Sequence, residues 1–272
     1  MAPPTAAYPL AVAQAWQASA EQAVQDCPAA RELLQLLAFF SPDAIPRDLL
    51  GAAPSALPEG LQDGFDRDGA IEALARFSLL RAEAGTLSIH RMVQAATRDV
   101  LDQDVARARA ETAVRLVAAA RPRPPQEHTN WPAMASLLPH ALAAADAGER
   151  LKAGLEPTAA VLNAMAVYHM ARAVWAEAEP LFTRAIAISE KALGPEHPDL
   201  ATWLNNLANL YQDTGRHAEA EPLFTRALAI MEKRLPPAHP SLATVRQNYA
   251  VLLEALGRAD EAATLRARAA AP

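Results

Sequence analysis

The chain is poor in the residues that usually carry chemistry. Cys27 is its one cysteine, so neither an intramolecular disulfide nor a cysteine-based zinc cluster is available. Gly-Lys occurs nowhere, which removes any G-x-x-x-x-G-K-[ST] loop for cradling a triphosphate. The seven histidines include no HExxH and no pair at helical ligand spacing. No apolar run approaches the roughly 18 residues of a membrane-spanning helix. The N-terminus, MAPPTAAYPL, has no positive n-region, so no signal peptide is read and a soluble, cytoplasmic protein is expected. Positive charge is also short: lysines number three, and the 272 residues sum to −6. Residues 1–130 carry 12 basic and 16 acidic groups, and the remainder 13 and 15. Neither part has the excess expected of a phosphate-backbone binder.

Alanine is present in quantity, and its high helix propensity makes the chain mainly α. Self-similarity is the dominant signal. AEAEPLFTRA stands at 176–185 and again at 218–227, and residues 159–200 match 201–242 at 23 of 42 positions without a gap. A degenerate third copy begins at Ala243. Each unit reads as two amphipathic helices. Leu204, Leu207, Ala208 and Tyr211 form the stripe of the first, and Ala220, Phe224, Ala227 and Ile230 that of the second. Gly215 breaks the helices apart, and Pro236, Pro237 and Pro240 end the unit.

These residues resemble the tetratricopeptide repeat, in the 42-residue variety of kinesin light chains and bacterial signalling proteins. Repeat one departs from the pattern with Ala173 for the turn glycine, and repeat three with Arg266 for Phe224; Arg266 and Arg268 suit a solvent-facing end. The resemblance implies a short α-solenoid whose first helices line a peptide groove. Its positions would be Asn163, Val167 and Met170 in repeat one, then Thr202, Asn205, Asn209, Gln212 and Asp213. Repeat three adds Thr244, Gln247, Val251 and Glu254. Asn and Gln both donate and accept, so they can clamp a peptide backbone of any sequence. The opposing reading is that such amides bond within the stack, above all Asn206.

Residues 10–130 do not repeat. Helices are expected at 10–25, 28–40, 67–77, 91–101 and on to about 119, with a short helical turn in 41–51 and a β-hairpin in 78–90. LSIHRMVQAATRDVL resembles the end of the winged-helix domain of STAND-type (NB-ARC) NTPases. There a histidine after the wing contacts the β-phosphate of ADP; carried over, it is His90, followed by Arg91. The resemblance thus implies a winged-helix domain with a small β wing over 1–120, a proline-rich linker over 121–132, and helical repeats over 133–272. The repeats comprise an opening helix pair (133–158) and units 159–200, 201–242 and 243–272. No nucleotide machinery is read in the chain, so ADP or ATP enters only with a separate NTPase module, in cis or in trans.

The implied function is non-catalytic: protein or peptide recognition in the groove, relayed through the winged helix in bacterial signalling or defence. A DNA-binding regulator and a plain scaffold are the alternatives. The helix a DNA reader would insert balances Arg67 and Arg76 against Asp68 and Glu72, a poor footprint for nucleic acid. The paired acids Glu177/Glu179 and Glu219/Glu221 read as solvated helix exterior, and neither a metal nor a membrane partner is expected.

Overall fold

The computed structural model describes residues 10–270 and divides them into two compact units. One runs to Pro122 and adds Pro132–Pro157; the other combines Arg123–Trp131 with Thr158 onward. Twelve α-helices and three short strands occur among the described residues, so the chain is mainly helical with one small sheet.

The first unit opens with α1 (Leu10–Asp26) and α2 (Ala29–Leu37). Leu33, Leu34, Leu36 and Leu37 of α2 are buried, a hydrophobic wall only a helix interior can use. Strand β1 (Ile45–Pro46) and single 3-10 turns at Arg47–Gly51, Pro54–Ala56 and Glu59–Leu61 lead to α3 (Gly64–Arg76). The carboxylate of Asp63 caps α3 by accepting from the Phe65 N–H at 2.7 Å. Strands β2 (Arg81–Glu83) and β3 (Thr86–Ser88) form the expected hairpin, turned by Gly85 at φ +85°. The hairpin gains a third strand that the proline-interrupted stretch 41–51 did not announce. β1 pairs antiparallel with β3, Ile45 opposite Leu87, in the order β1-β3-β2.

Helix α4 (Arg91–Asp99) is tied to the end of α2. The Gln94 side chain donates to the carbonyls of Leu37 (2.8 Å) and Phe40 (3.0 Å), and the Arg98 guanidinium to that of Ala38 at 2.5 Å. A helix C-terminus leaves such carbonyls without intrahelical donors, and α4 supplies them. Helix α5 (Gln103–Ala120) follows, and α6 (Trp131–Leu151) occupies most of the stretch expected as an opening helix pair. Pro132 to Pro157 groups by its contacts with the first unit.

The second unit is the repeat stack. Its helix pairs are α7 (Leu155–Ala171) with α8 (Trp175–Ala192), α9 (Pro198–Asp213) with α10 (His217–Arg234), and α11 (Pro240–Ala255) with α12 (Ala259–Ala270). The intra-repeat turns reuse one backbone state. Gly215 and Gly257 have φ +75° and +77°, and Ala173 holds the same left-handed state at +56°. Phe224 is fully buried and stacks on Tyr249 of the next repeat at 5.7 Å between centroids. Leu200, Leu204, Ile230, Met231, Leu242 and Leu253 share one apolar cluster, which stitches the second pair to the third.

Candidate functional site

The face carried by α7, α9 and α11 is organised by amides. Asn206 Nδ2 donates to Asn163 Oδ1 at 3.1 Å, and Asn248 Nδ2 donates to Asn205 Oδ1 at 3.0 Å. Asn205 Nδ2 closes the chain on Asn206 Oδ1 at 3.4 Å. The four side chains form a ladder across three successive first helices. Asn205 is only 6 % exposed, so its amide is committed to the stack, as is that of Asn206. Asn163 is half-buried, with its oxygen in the same ladder.

The other candidate positions differ. Thr202, Asp213, Thr244 and Gln247 are exposed, while Asn209 and Gln212 are half-buried. The Gln212 Oε1 atom is buried without a hydrogen-bond donor. Val167 and Met170 of repeat one are half-buried and Val251 of repeat three is exposed, flanking Asn209 and Gln212 with apolar surface. Glu254 is exposed and paired to Arg266. Although Asp213 is exposed overall, partial desolvation shifts its carboxyl upward from the ordinary value.

Beside the ladder runs a clasp of ion pairs that periodicity could have revealed. Glu179 of α8 accepts from Arg216 Nη1 at 2.7 Å, and its repeat-equivalent Glu221 accepts from Arg258 Nη1 at 2.5 Å. Each arginine also grips a glutamate of its own second helix: Arg216 holds Glu219, and Arg258 holds Glu261, both at 2.7 Å. Tyr211 and Tyr249 hydroxyls donate to Glu179 (3.0 Å) and Glu221 (3.2 Å). Glu179, Glu219 and Glu221, expected as plain solvated acids, are inter-repeat and intra-repeat links instead. The sequence signal was present, since Arg216 and Arg258 recur at the 42-residue period. Arg266 and Arg268 are likewise bound rather than merely solvent-facing, to Glu254 and Glu232.

In the first unit His90 sits at the N-terminus of α4. Its Nδ1 accepts from the Met92 N–H at 3.2 Å, so a neutral ring carries its proton on Nε2. His197 and His239 cap α9 and α11 by the same device, accepting from Asp199 N–H (3.3 Å) and Ser241 N–H (3.2 Å). The exposed His90 and Arg91 line an open cavity of about 820 Å³ with Asp43 and Arg81. Arg81 is engaged by Glu83 at 2.5 Å. On α3, Arg67 donates to the carbonyls of Leu61 and Gln62, and Arg76 pairs with Asp26. Asp68 takes Arg47 at 2.7 Å. The arginines a DNA reader would present are thus spent inside the unit. Cys27 is a half-buried free thiol. Among the described residues no group of three His, Cys, Asp or Glu could hold a metal, and no helix is long and apolar enough to cross a membrane.

Residues 157–233 and 199–271 match the family model described as "Tetratricopeptide repeat". The chain carries tetratricopeptide repeats. They are a protein-interaction scaffold, and no catalytic family is indicated. Residues 22–106, in the first unit, match a model described as "Domain of unknown function (DUF7779)". No curated protein matches the chain. Among solved structures, BtubC from P. vanneervenii is similar over 82 % of this chain and 85 % of its own, with TM-score 0.50 at 18 % identity, a likeness of fold. A Podosopora anserina protein with nearly identical TPR-like repeats is similar over 82 % of this chain and 90 % of its own (TM-score 0.46, 20 % identity). A Signal Transduction ATPase with Numerous Domains (STAND) protein with a tetratricopeptide repeat sensor, from Pyrococcus horikoshii, is similar over 98 % of this chain and 53 % of its own (TM-score 0.32, 13 % identity).

Proposed function

We propose that the tetratricopeptide repeats hold an extended protein segment along α7, α9 and α11, and that the first unit relays its arrival to an NTPase module of the STAND type, in cis or in trans. The observation that carries the binding reading is the unequal use of the amides. Asn163, Asn205, Asn206 and Asn248 are consumed by the ladder, which rigidifies the face. Asn209 and Gln212 stand beside it with side-chain donors or acceptors to spare. A buried carbonyl oxygen such as Gln212 Oε1 costs free energy unless a donor arrives, and a peptide N–H is such a donor.

The relay reading is supported by element order. A helix, β1, a helical segment, α3 and the β2–β3 wing, with sheet order β1-β3-β2, is the succession of a winged helix. His90 directly follows the wing, its Nδ1 held as acceptor, which leaves Nε2–H as a donor for a phosphate oxygen. Bound ADP or ATP would belong to the partner module, with His90 and Arg91 as the contribution of this chain. A bacterial signalling or defence setting, in the cytoplasm, follows from the STAND reading alone.

The test is affinity capture from the source lysate with the chain and with its Asn209→Ala/Gln212→Ala variant. A protein retained by the first and lost by the second is expected. Equal retention by both, with circular dichroism unchanged, would remove the amide face from the binding reading. Asn205→Ala is a poor probe, because it cuts the ladder itself.

A further inference from the structure

The repeats leave the carboxylate of Asp213 unanswered on the proposed binding face. Their basic side chains are largely occupied: Arg216, Arg226, Arg246, Arg258 and Arg266 are each ion-paired to a glutamate. Asp213 stands at the C-terminal end of α9, and among the described residues its carboxylate makes neither an ion pair nor a hydrogen bond. No guanidinium is paired with this carboxylate, although Arg216 follows three residues later. Arg216 is held away by Glu179 and Glu219.

The neighbouring repeats make room at this point. Ala171 and Ala255 occupy the positions equivalent to Asp213, and both are exposed. One row of the face therefore reads Ala, Asp, Ala across α7, α9 and α11, a carboxylate between two small residues. Asn209 lies one helical turn before Asp213, on the same side of α9. The negative end of the α9 dipole reinforces the carboxylate. A single carboxylate is too few ligands for a divalent cation, whereas an ammonium or guanidinium on a long stem suits it. The adjacent rows supply Val167, Met170 and Val251, apolar contacts for aliphatic neighbours.

We infer that the partner of this face is an extended peptide segment bearing a lysine or arginine next to aliphatic residues, with the basic side chain seated at Asp213 between Ala171 and Ala255. This rests on the peptide-binding reading above and narrows it to one chemical class. An acidic peptide would meet Asp213 at a loss.

A randomised dodecapeptide library displayed on phage, selected on the full chain, tests this, with enriched peptides resynthesised and measured by fluorescence polarisation. The expected result is enrichment of Lys or Arg at one position. Affinity should then fall about fivefold in Asp213→Asn, and further in Asp213→Lys, since a partly desolvated pair exceeds an exposed one. Both variants lie at an exposed position, and circular dichroism checks their fold. Peptides that lack a basic position, tolerate Asp213→Asn and yet need Asn209 would overturn this inference while leaving the peptide-binding reading intact. Enrichment of acidic peptides would overturn it too. No selection above background would sink both readings.

Discussion

Arg216 Nη1 lies 2.7 Å from Glu179 Oε2, joining residues 37 positions apart in successive repeats. Arg258 and Glu221 repeat the contact one unit later. The same guanidinium chelates Glu219 and covers the Tyr211 ring at 4.0 Å, so one side chain fastens both the turn and the inter-repeat seam. Val174 occupies the position equivalent to Arg216 in repeat one, and Ala263 that of Glu221 in repeat three. The clasp thus links repeat one to two and two to three.

Arg216→Ala should lower the thermal midpoint of unfolding, and the deficit should shrink as salt is raised, because the pairs are partly solvent-exposed. Acid should mimic the mutation. The hydrogen bond from Arg216, followed by that from Tyr211, holds the Glu179 carboxyl below its ordinary 4.5 against the opposing effect of burial. A depressed carboxylate contributes stability that is complete above its unfolded value and lost as pH falls through the folded one. Thermal melts at two salt concentrations and from pH 7 to 3 measure this. An Arg216→Ala melt identical to the parent throughout would show the clasp to be ornamental.

Ala173→Gly should stabilise the protein by about 1 kcal/mol, although glycine usually loosens a chain. Ala173 holds φ +56° at the turn where Gly215 and Gly257 stand, and a Cβ is disfavoured in that conformation. Relief of the left-handed cost outweighs the extra entropy of the unfolded glycine. Urea denaturation decides the sign, and a lower midpoint in Ala173→Gly would refute the strain argument.

Stability should also fall as the pH drops below about 6.5, by way of His140. This imidazole is fully buried in α6, with Nε2 3.1 Å from the Ala44 carbonyl oxygen and Nδ1 unpartnered. Burial pushes its pKa below the ordinary 6.5, while the Ala44 and Ser41 carbonyls push back. The unfolded chain therefore binds the extra proton first, and protonation favours unfolding. His169, also lowered chiefly by burial, acts in the same direction. In His140→Gln the loss of stability between pH 7 and 5 should be shallower than in the parent, as read by urea midpoints across that range. A slope equal to the parent's would shift the dependence onto His169.

The repeat architecture was legible because periodicity is a one-dimensional property. Stripes such as Leu204, Leu207, Ala208 and Tyr211, and breakers such as Gly215, mark helices wherever they stand. The hairpin around Gly85 was legible for the same local reason. Strand β1 was not: Ile45–Pro46 is too short to carry a pattern, and only pairing with Leu87 makes it a strand. The amide face shows the same division. Its residue types could be read, yet Asn205, Asn206 and Asn209 look alike along the chain. Which amides face a neighbouring helix depends on the rotation and spacing of α7, α9 and α11, set by side chains packed tens of residues away. Composition and spacing determined a stack of helix pairs. Tertiary packing alone decided that Asn205 serves the stack, that Arg216 serves its seam, and that Asp213 is left with its charge unpaired, because the first two rest on a partner from another helix and the third on the lack of one.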